Sequence, residues 1–308
     1  MVGTRVHWTG ALAGSAVLAG ALWTPAVGQE TVLPEGRWAP VAVRAPAGAQ
    51  AGRLSQVERR DQAGGALFRA GPARLVLPAV PADVPRRTMT GMAGGVPASR
   101  AVGRVFFTDA ASGRRSSCSA SVVASDSGNL LLTAGHCVYS RGWHRDWIFV
   151  PSYDQGKRPF GVWRAEWFVT PSRWITHGRP EDDVAFVKVA SSGGVRILDR
   201  VGGNGIRPGA ATGRRRTVLG YPFLPPYRGD RQHYCEGVTR SEGRRMRMAC
   251  RLTTGASGGP WLDSYDRSTG FGYIGGVTTN TDLANTTLWS PLLGGDVWTL
   301  YRYADQLR

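Results

Sequence analysis

The sequence predicts an all-β fold that ends in a single helix. Three observations carry that expectation. From Val102 onward, short runs rich in β-branched and aromatic residues recur, each closed by turn residues. Glycine is abundant, at 42 of 308 residues, which suits short strands joined by many turns. Strands do not alternate with helical patterns, as a parallel sheet with crossover helices would require.

The chain opens with Arg5 and His7, a mostly apolar run from Gly10 to Trp23, and the small residues Ala26, Val27 and Gly28. This is the pattern of a secretory signal peptide over 1–28. The apolar run is shorter than the ~20 residues that a bilayer-spanning helix needs. Export to the extracellular side without stable membrane insertion is therefore expected. From 29 to 99 the chain is rich in Ala, Pro, Gly and Arg, and Pro34, Pro40, Pro46, Pro72, Pro78, Pro81, Pro85 and Pro97 break any periodic pattern. A largely disordered pro-segment or linker is predicted there.

Strands are predicted over Val102–Phe107, Ser119–Val123, Leu130–Thr133, Trp147–Val150, Val162–Val169, Val184–Val189, Thr217–Tyr221, Met246–Leu252, Tyr273–Thr278 and Thr287–Trp289. Their spacing is that of a sandwich or barrel. At the C-terminus, Val297, Leu300, Tyr301 and Ala304 share one helical face behind an N-cap at Asp296.

The formal net charge is +16, and almost all of it is arginine, since Lys157 and Lys188 are the only lysines. The arginines are scattered, with short clusters at Arg214, Arg215, Arg216 and at Arg244, Arg245. No recognition helix or aromatic RNA-binding signature accompanies them. Attraction to anionic surfaces is expected, without a specific nucleic-acid partner.

Four cysteines, Cys118, Cys137, Cys235 and Cys250, permit three pairings. In an exported chain disulfides are the default, and the sequential pairing, Cys118 with Cys137 and Cys235 with Cys250, is the expected one. The short C-x-x-C spacing typical of metal ligation is absent, so no metal is expected.

Gly255-Ala256-Ser257-Gly258-Gly259-Pro260 sets a serine among glycines, which allows a tight turn whose N–H groups converge on a carbonyl oxygen. The same hexapeptide satisfies G-x-S-x-G, the nucleophile elbow of α/β-hydrolases. Those enzymes need a histidine after the serine, whereas His7, His136, His144, His177 and His233 all precede Ser257. A Ser-x-x-Lys site fails too, because Asp154 and Ala185 stand three residues before the lysines. His136 follows the apolar run Leu130–Leu132 and sits beside Cys137, at a strand end suited to a base. Asp183 heads the run Val184–Val187 and can fix the tautomer of His136, with Asp182 as its rival. His144, His177 and His233 are read as structural.

Thr133–Cys137 (TAGHC), Asp182–Val187 (DDVAFV) and Gly255–Pro260 (GASGGP), in that order, resemble the trypsin-like, chymotrypsin-fold serine peptidase family over Val102–Arg308. Gly220-Tyr221-Pro222 and the aromatic strands after TAGHC resemble most its bacterial glutamyl-endopeptidase-like branch. The resemblance implies two packed six-stranded antiparallel β-barrels with a C-terminal helix, in a peptidase domain over 100–308. It implies Ser257 as nucleophile, His136 as general base and then acid, and Asp183 as orienter. The backbone N–H groups of Gly255 and Ser257 become the oxyanion hole. The implied activity is secreted endopeptidase chemistry on protein or peptide substrates through an acyl-enzyme, by a monomer without cofactor. A catalytically silent binding module on the same fold, holding an anionic partner on a basic surface with 11 tryptophans, is the alternative.

Two departures from the family stand out. Animal relatives carry an aspartate just before the serine, for pairing with a freed N-terminus, and this chain has Ala256. Glutamate-specific relatives carry a histidine on the later pocket strand, where this chain reads Gly276-Val277-Thr278-Thr279-Asn280. Arg251, Thr278 and Asn280 are the candidate pocket residues, with Arg251 either placed to attract an acidic side chain or, as the favoured reading, facing solvent near Cys250.

Overall fold

The structure, a computed structural model, describes residues 38–47, 73–80 and 98–308. The predicted signal peptide, 1–28, and most of the 29–99 stretch lie outside the described residues. Each predicted run from Val102 onward overlaps a strand.

The first half contains β1 (Pro40–Arg44), β2 (Val102–Thr108), β3 (Arg115–Val122), β4 (Leu130–Thr133), β5 (Arg145–Pro151), β6 (Trp163–Pro171) and β7 (Ala185–Val189). Strands β6-β5-β2-β3-β4-β7 follow one another, and a β6–β7 ladder closes them into a six-stranded antiparallel barrel. The strand β1 lies outside this circle, on β6. Its pairing runs from Pro40 opposite Pro171 to Arg44 opposite Trp167.

Side-chain alternation along these strands explains why so many are buried on both faces. In β4, Leu131 enters the barrel interior with Cys118, Ala120, Val122, Phe149 and Phe168, while Leu130 and Leu132 face a second core shared with the other half. In β7, Val187 and Val189 point into the barrel, and Phe186 points to the shared core. In β3 the outward set is Ser117, Ser119 and Ser121, all buried, so this strand presents hydroxyls where its neighbours present leucines. Those hydroxyls are used: Asn204 Nδ2 donates to Ser121 Oγ at 2.9 Å, and the Gly272 N–H donates to Asn204 Oδ1 at 2.9 Å.

The second half is built from β8 (Gly205–Ile206), β9 (Arg215–Gly220), β10 (His233–Val238), β11 (Arg240–Glu242), β12 (Arg245–Ala249), β13 (Pro260–Asp266), β14 (Phe271–Val277), β15 (Asn280–Thr281) and β16 (Thr287–Pro291). They form a five-stranded sheet, β10-β9-β13-β14-β8, and a four-stranded sheet, β11-β12-β16-β15. Hydrogen bonds from Val277 N to Ser290 Oγ and from Thr279 N to Trp289 O join the two sheets, and the Cys235–Cys250 disulfide staples them. Trp261, Met246 and Leu288 fill the space between. The pair β14–β8 is parallel, the exception in an otherwise antiparallel set.

Three short helices complete the fold: α1 (Ser172–His177), α2 (Ile197–Val201) and α3 (Gly295–Gln306). As predicted, α3 buries Val297, Leu300, Tyr301 and Ala304 in the shared core. The expected N-cap does not hold. Gly294 occupies that position without a side-chain cap, and Asp296 lies in the first turn, where its charge still complements the helix dipole. The far end of α3 is pinned by Asp305, whose carboxylate accepts the N–H groups of Asp126 and Ser127 at 3.1 and 3.0 Å.

Two pieces of the 29–99 stretch are among the described residues and pair with the domain. Besides β1, Val76 and Ala79 bridge to Ile206 and Gly203. Low hydrophobicity across the whole stretch hid two short apolar pieces, Val41-Ala42-Val43 and Val76 with Ala79, that find their partners only in the folded domain.

Candidate active site

His136 sits in a one-turn 3-10 helix, Gly135–Cys137, at the end of β4. Cys137 in that turn is bonded to Cys118 in β3, so the turn is anchored to the barrel wall. Asp183 follows a second 3-10 turn, Pro180–Asp182, and precedes β7. Because β4 and β7 pair with Thr133 opposite Ala185, the two turns emerge side by side. His136 Nδ1 lies 2.8 Å from Asp183 Oδ2, and Asp183 Oδ1 accepts the His136 backbone N–H at 2.8 Å. One carboxylate thus holds both the ring and the main chain of the same residue. Nδ1 is the protonated nitrogen in this arrangement, which leaves the Nε2 lone pair available.

Burial opposes the imidazolium of His136, but the charge of Asp183 and its hydrogen bond outweigh that, and the pKa is raised above the usual histidine value. The His136 side chain remains 30% exposed, whereas Asp183 is buried. The rival Asp182 makes no bond to His136. It is buried with one carboxylate oxygen unpartnered, and burial pushes its pKa up.

His144 supports the same turn from behind. Its Nδ1 accepts the Ala110 N–H at 3.1 Å, so Nε2 carries the proton and donates to the His136 carbonyl at 3.0 Å. Its ring stacks on Phe107 at 4.3 Å, and burial holds its pKa below the usual value. Trp174, from α1, covers the other side. Its ring centroid lies 6.4 Å from that of His136, and its indole N–H donates to the Tyr139 carbonyl at 3.1 Å. A Cβ on Gly135 would meet Trp174 at 2.9 Å, so glycine is required where the two pack.

Ser257 belongs to the loop between β12 and β13, in the other half. The loop is sewn to the first barrel through β3. The Ser119 N–H donates to the Ser257 carbonyl at 2.7 Å, Ser119 Oγ donates to the Gly255 carbonyl at 2.8 Å, and Thr133 Oγ1 donates to the Ser119 carbonyl at 2.8 Å. Gly258 has φ +81°, and a Cβ there would stand 2.1 Å from the Ser119 carbonyl oxygen and 2.2 Å from Thr133 Oγ1. Only glycine allows the serine loop to press this closely on the strand end that leads to His136. Ser257 and His136 are not hydrogen-bonded to each other in this structure.

Within the loop, the N–H groups of Ala256, Gly258 and Gly259 donate to Thr253, Thr278 and Ala256 carbonyls. Among the described residues, no acceptor is taken by the N–H of Gly255 or of Ser257. Gly255 has φ +98°, a value that turns the chain so that alternate amides leave the protein's own hydrogen-bond network. Two backbone N–H groups of the serine loop are therefore left unengaged.

Next to Ser257 opens a pocket of ≈ 260 Å³, lined by Thr253, Thr254, Thr278, Thr279, Asn280, Thr281 and Leu288. Thr278 and Asn280, two of the candidate pocket residues, are in this lining. Arg251, the third candidate, is exposed between the buried Cys250 and Leu252 and takes no part in the lining. The lining carries hydroxyls, one amide and one aliphatic side chain, with no formal charge. Thr253, Thr254, Thr279, Thr281 and Leu288 escaped the sequence reading, although a cluster of threonines around TTGAS and GVTTNT was visible. The proximity of Cys118, His136 and Cys137 makes no metal site, since both sulfurs are consumed in the disulfide.

A family model described as trypsin-like peptidase domain matches residues 118–270. A thermostable serine protease, AL20, from an extremophilic microorganism is 28% identical, with a TM-score of 0.64 over 68% of this chain and 99% of its own. Protease Anisep from Arthrobacter nicotinovorans is also 28% identical, with a TM-score of 0.64 over 68% and 97% of the two chains. A Glu endopeptidase solved with MPD is 22% identical, with a TM-score of 0.56 over 74% and 100%, a likeness of fold alone. No curated protein sequence matches the chain.

Proposed function

From the premise that this chain carries a trypsin-like peptidase domain and is a serine endopeptidase, we propose that it is exported and cleaves peptide bonds through a His136–Asp183–Ser257 triad. Ser257 Oγ attacks the peptide carbonyl carbon while its proton passes to His136 Nε2. The N–H groups of Gly255 and Ser257 stabilise the oxyanion. The C–N bond then breaks, His136 returns the proton to the leaving amine, and a water activated by the same imidazole releases the acyl group.

The observation that carries this reading is the double grip of Asp183 on His136. A carboxylate spent on both the ring and the main chain of one histidine defines that ring's tautomer and direction, which a general base needs and a merely structural histidine does not. The two unengaged N–H groups beside Ser257 support the same reading. The disulfides support export, since such bonds persist in oxidising compartments.

The uncharged pocket supports peptides whose side chain at the cleaved residue is neutral, with Thr254 and Asn280 as hydrogen-bonding walls and Leu288 as an apolar one. An ionised glutamate or arginine would lose its hydration there without meeting an opposite charge. Serine-directed fluorophosphonate labelling and casein hydrolysis by the purified protein test the activity. Loss of labelling in Ser257→Ala is expected. Undiminished labelling of that variant rejects Ser257 as nucleophile, and an absence of inhibitor-sensitive hydrolysis in the wild type returns the silent binding module.

A further inference from the structure

The two described pieces of the 29–99 stretch, 38–47 and 73–80, fit the peptidase domain as strands fit a sheet. We infer that the domain carries a two-part docking surface for this N-terminal segment, and that the segment stays bound as a non-covalent, strand-donating subunit when the chain is cut between residue 80 and residue 98.

The first part of the surface is an edge that the barrel leaves open. Strand β5 pairs with β6 only at Arg164 and Trp163, and β1 takes over that edge from Trp167 to Pro171. The ladder continues past the strand at both ends, with the Ala45 N–H on the Glu166 carbonyl at 2.8 Å and the Ser172 N–H on the Ala39 carbonyl at 2.9 Å. In an antiparallel ladder those two pairs mark Val41 and Val43 as the intervening residues that also exchange bonds with β6. Side chains above and below are committed too. Trp38 and Ala42 pack on the shared core, Val43 and Ala45 on the barrel core, and the Arg44 guanidinium lies 4.2 Å over the Trp167 ring.

The second part is β8. Val76 and Ile206 exchange both backbone hydrogen bonds at 3.0 and 3.1 Å, and Ala79 and Gly203 exchange both at 2.9 Å. Gly205 lies between these pairs, and a Cβ there would stand 2.2 Å from the Val76 carbonyl oxygen, with Pro78 and Leu77 as the next nearest atoms. The three heavy atoms nearest to a Cβ at 205 all belong to the N-terminal segment. The domain surface is therefore shaped for that segment's backbone, which is the geometry of strand addition to a sheet edge.

The segment works away from the substrate pocket, to whose lining no residue of 38–47 or 73–80 contributes. It touches instead the supports of the acid–base pair. Val41 pairs with Thr170, whose hydroxyl donates to the carbonyl of Val184, next to Asp183. The Ala39 N–H donates to Ser172 Oγ at the start of α1, the helix that holds Trp174 over His136. These two pieces brace the site from behind and leave the pocket lining to the domain.

The experiment uses the full chain carrying Ser257→Ala, with residues 86–92 replaced by the recognition site of a specific endoprotease, cut after folding and passed through a native sizing column. Binding is read without catalysis, so the result is independent of the function proposed above. The N-terminal fragment is expected to co-elute one-to-one with the C-terminal fragment that carries residues 98–308. Val43→Pro, which removes a ladder N–H, and Gly205→Ala, whose added methyl meets the segment's backbone first, should each lower the retained fragment at least tenfold, while circular dichroism of the uncut variants stays that of a folded β protein. A fragment that separates on cutting overturns the inference, whatever the state of the remainder, as does Gly205→Ala holding the fragment as the parent does.

Discussion

The backbone N–H of Ser119 donates to the carbonyl of Ser257 at 2.7 Å, which bolts the serine loop of one half to a strand of the other. Since Cys118, the next residue, is bonded to Cys137 beside His136, the serine loop and the histidine turn hang from the same stretch of β3. The relative position of the hydroxyl and the imidazole is therefore set by the wall of the first barrel. Disturbances along that short path should be read out in activity before stability.

Gly258→Ala tests the path most directly. A methyl group 2.1 Å from the Ser119 carbonyl oxygen, on a residue with φ +81°, has to push the serine loop away from β3. A stability loss of about 1–3 kcal/mol is expected from the backbone strain, with a larger proportional loss of kcat. Urea unfolding and active-site titration with a fluorophosphonate together check it, and an unchanged kcat in a folded variant contradicts the assigned role of Ser119.

Asp183→Asn should preserve the fold and lower kcat by about 10⁴, as expected when the amide no longer fixes the productive tautomer. Asp182→Asn, by contrast, should keep kcat within a few-fold and leave stability equal or higher, because it removes a buried carboxylate with an unpartnered oxygen. Steady-state kinetics on the two variants separates the neighbours, and the reverse ranking would transfer the orienting role to Asp182.

Activity should fall as pH drops through the raised pKa of His136, because the base must be neutral. The sign for stability is opposite. A histidine whose pKa is raised on folding stabilises the native state fully below its unfolded pKa and loses that contribution as pH rises through the folded value. Asp183→Asn should move the acidic limb of the kcat/KM profile to lower pH. A limb that does not move assigns it to another group.

His144 titrates in the reverse sense. Burial lowers its pKa, so below the ordinary histidine value the unfolded chain takes up a proton that the native state resists, and stability falls with acidification. His144→Phe keeps the stacking on Phe107 but abandons the Ala110 N–H and the His136 carbonyl, a loss of about 1–3 kcal/mol. Chemical denaturation at several pH values should show the wild type and the variant converging as pH decreases.

Replacing Cys118 and Cys137 with alanine opens a loop of sequence separation 19. A loss of about 3 kcal/mol is expected for loops near that size. The same change for Cys235 and Cys250, which joins the two sheets of the second half, should cost a similar amount of stability with less effect on kcat, because Cys250 stands seven residues before Ser257 whereas Cys137 adjoins His136. Thermal unfolding and turnover measured on both double variants check the contrast.

The sequence by itself determined much of this protein. Local composition sufficed for every run of apolar and β-branched residues after Val102, because barrel strands with one or both faces buried must read that way. The three motifs around His136, Asp183 and Ser257 were legible for the same kind of reason: a strand end, a strand start and a glycine-framed turn are local events. Strand β13 escaped because it begins with Pro260 and carries Asp263, whose charge is neutralised by the buried Arg216 at 3.1 Å, a partner remote in sequence. Strand β1 escaped because its apolar residues are few and surrounded by proline and alanine.

What only the tertiary structure decided are the relations between distant segments. It placed Asp183 rather than Asp182 on His136, turned Arg251 to solvent, gathered separated threonines into one uncharged pocket, and laid an N-terminal strand on the open edge of β6. Each depends on which backbone donors and acceptors remain unpaired once the barrels close. That property belongs to the folded chain, since a peptide group in isolation cannot register whether its partner will come from a neighbour or from a hundred residues away.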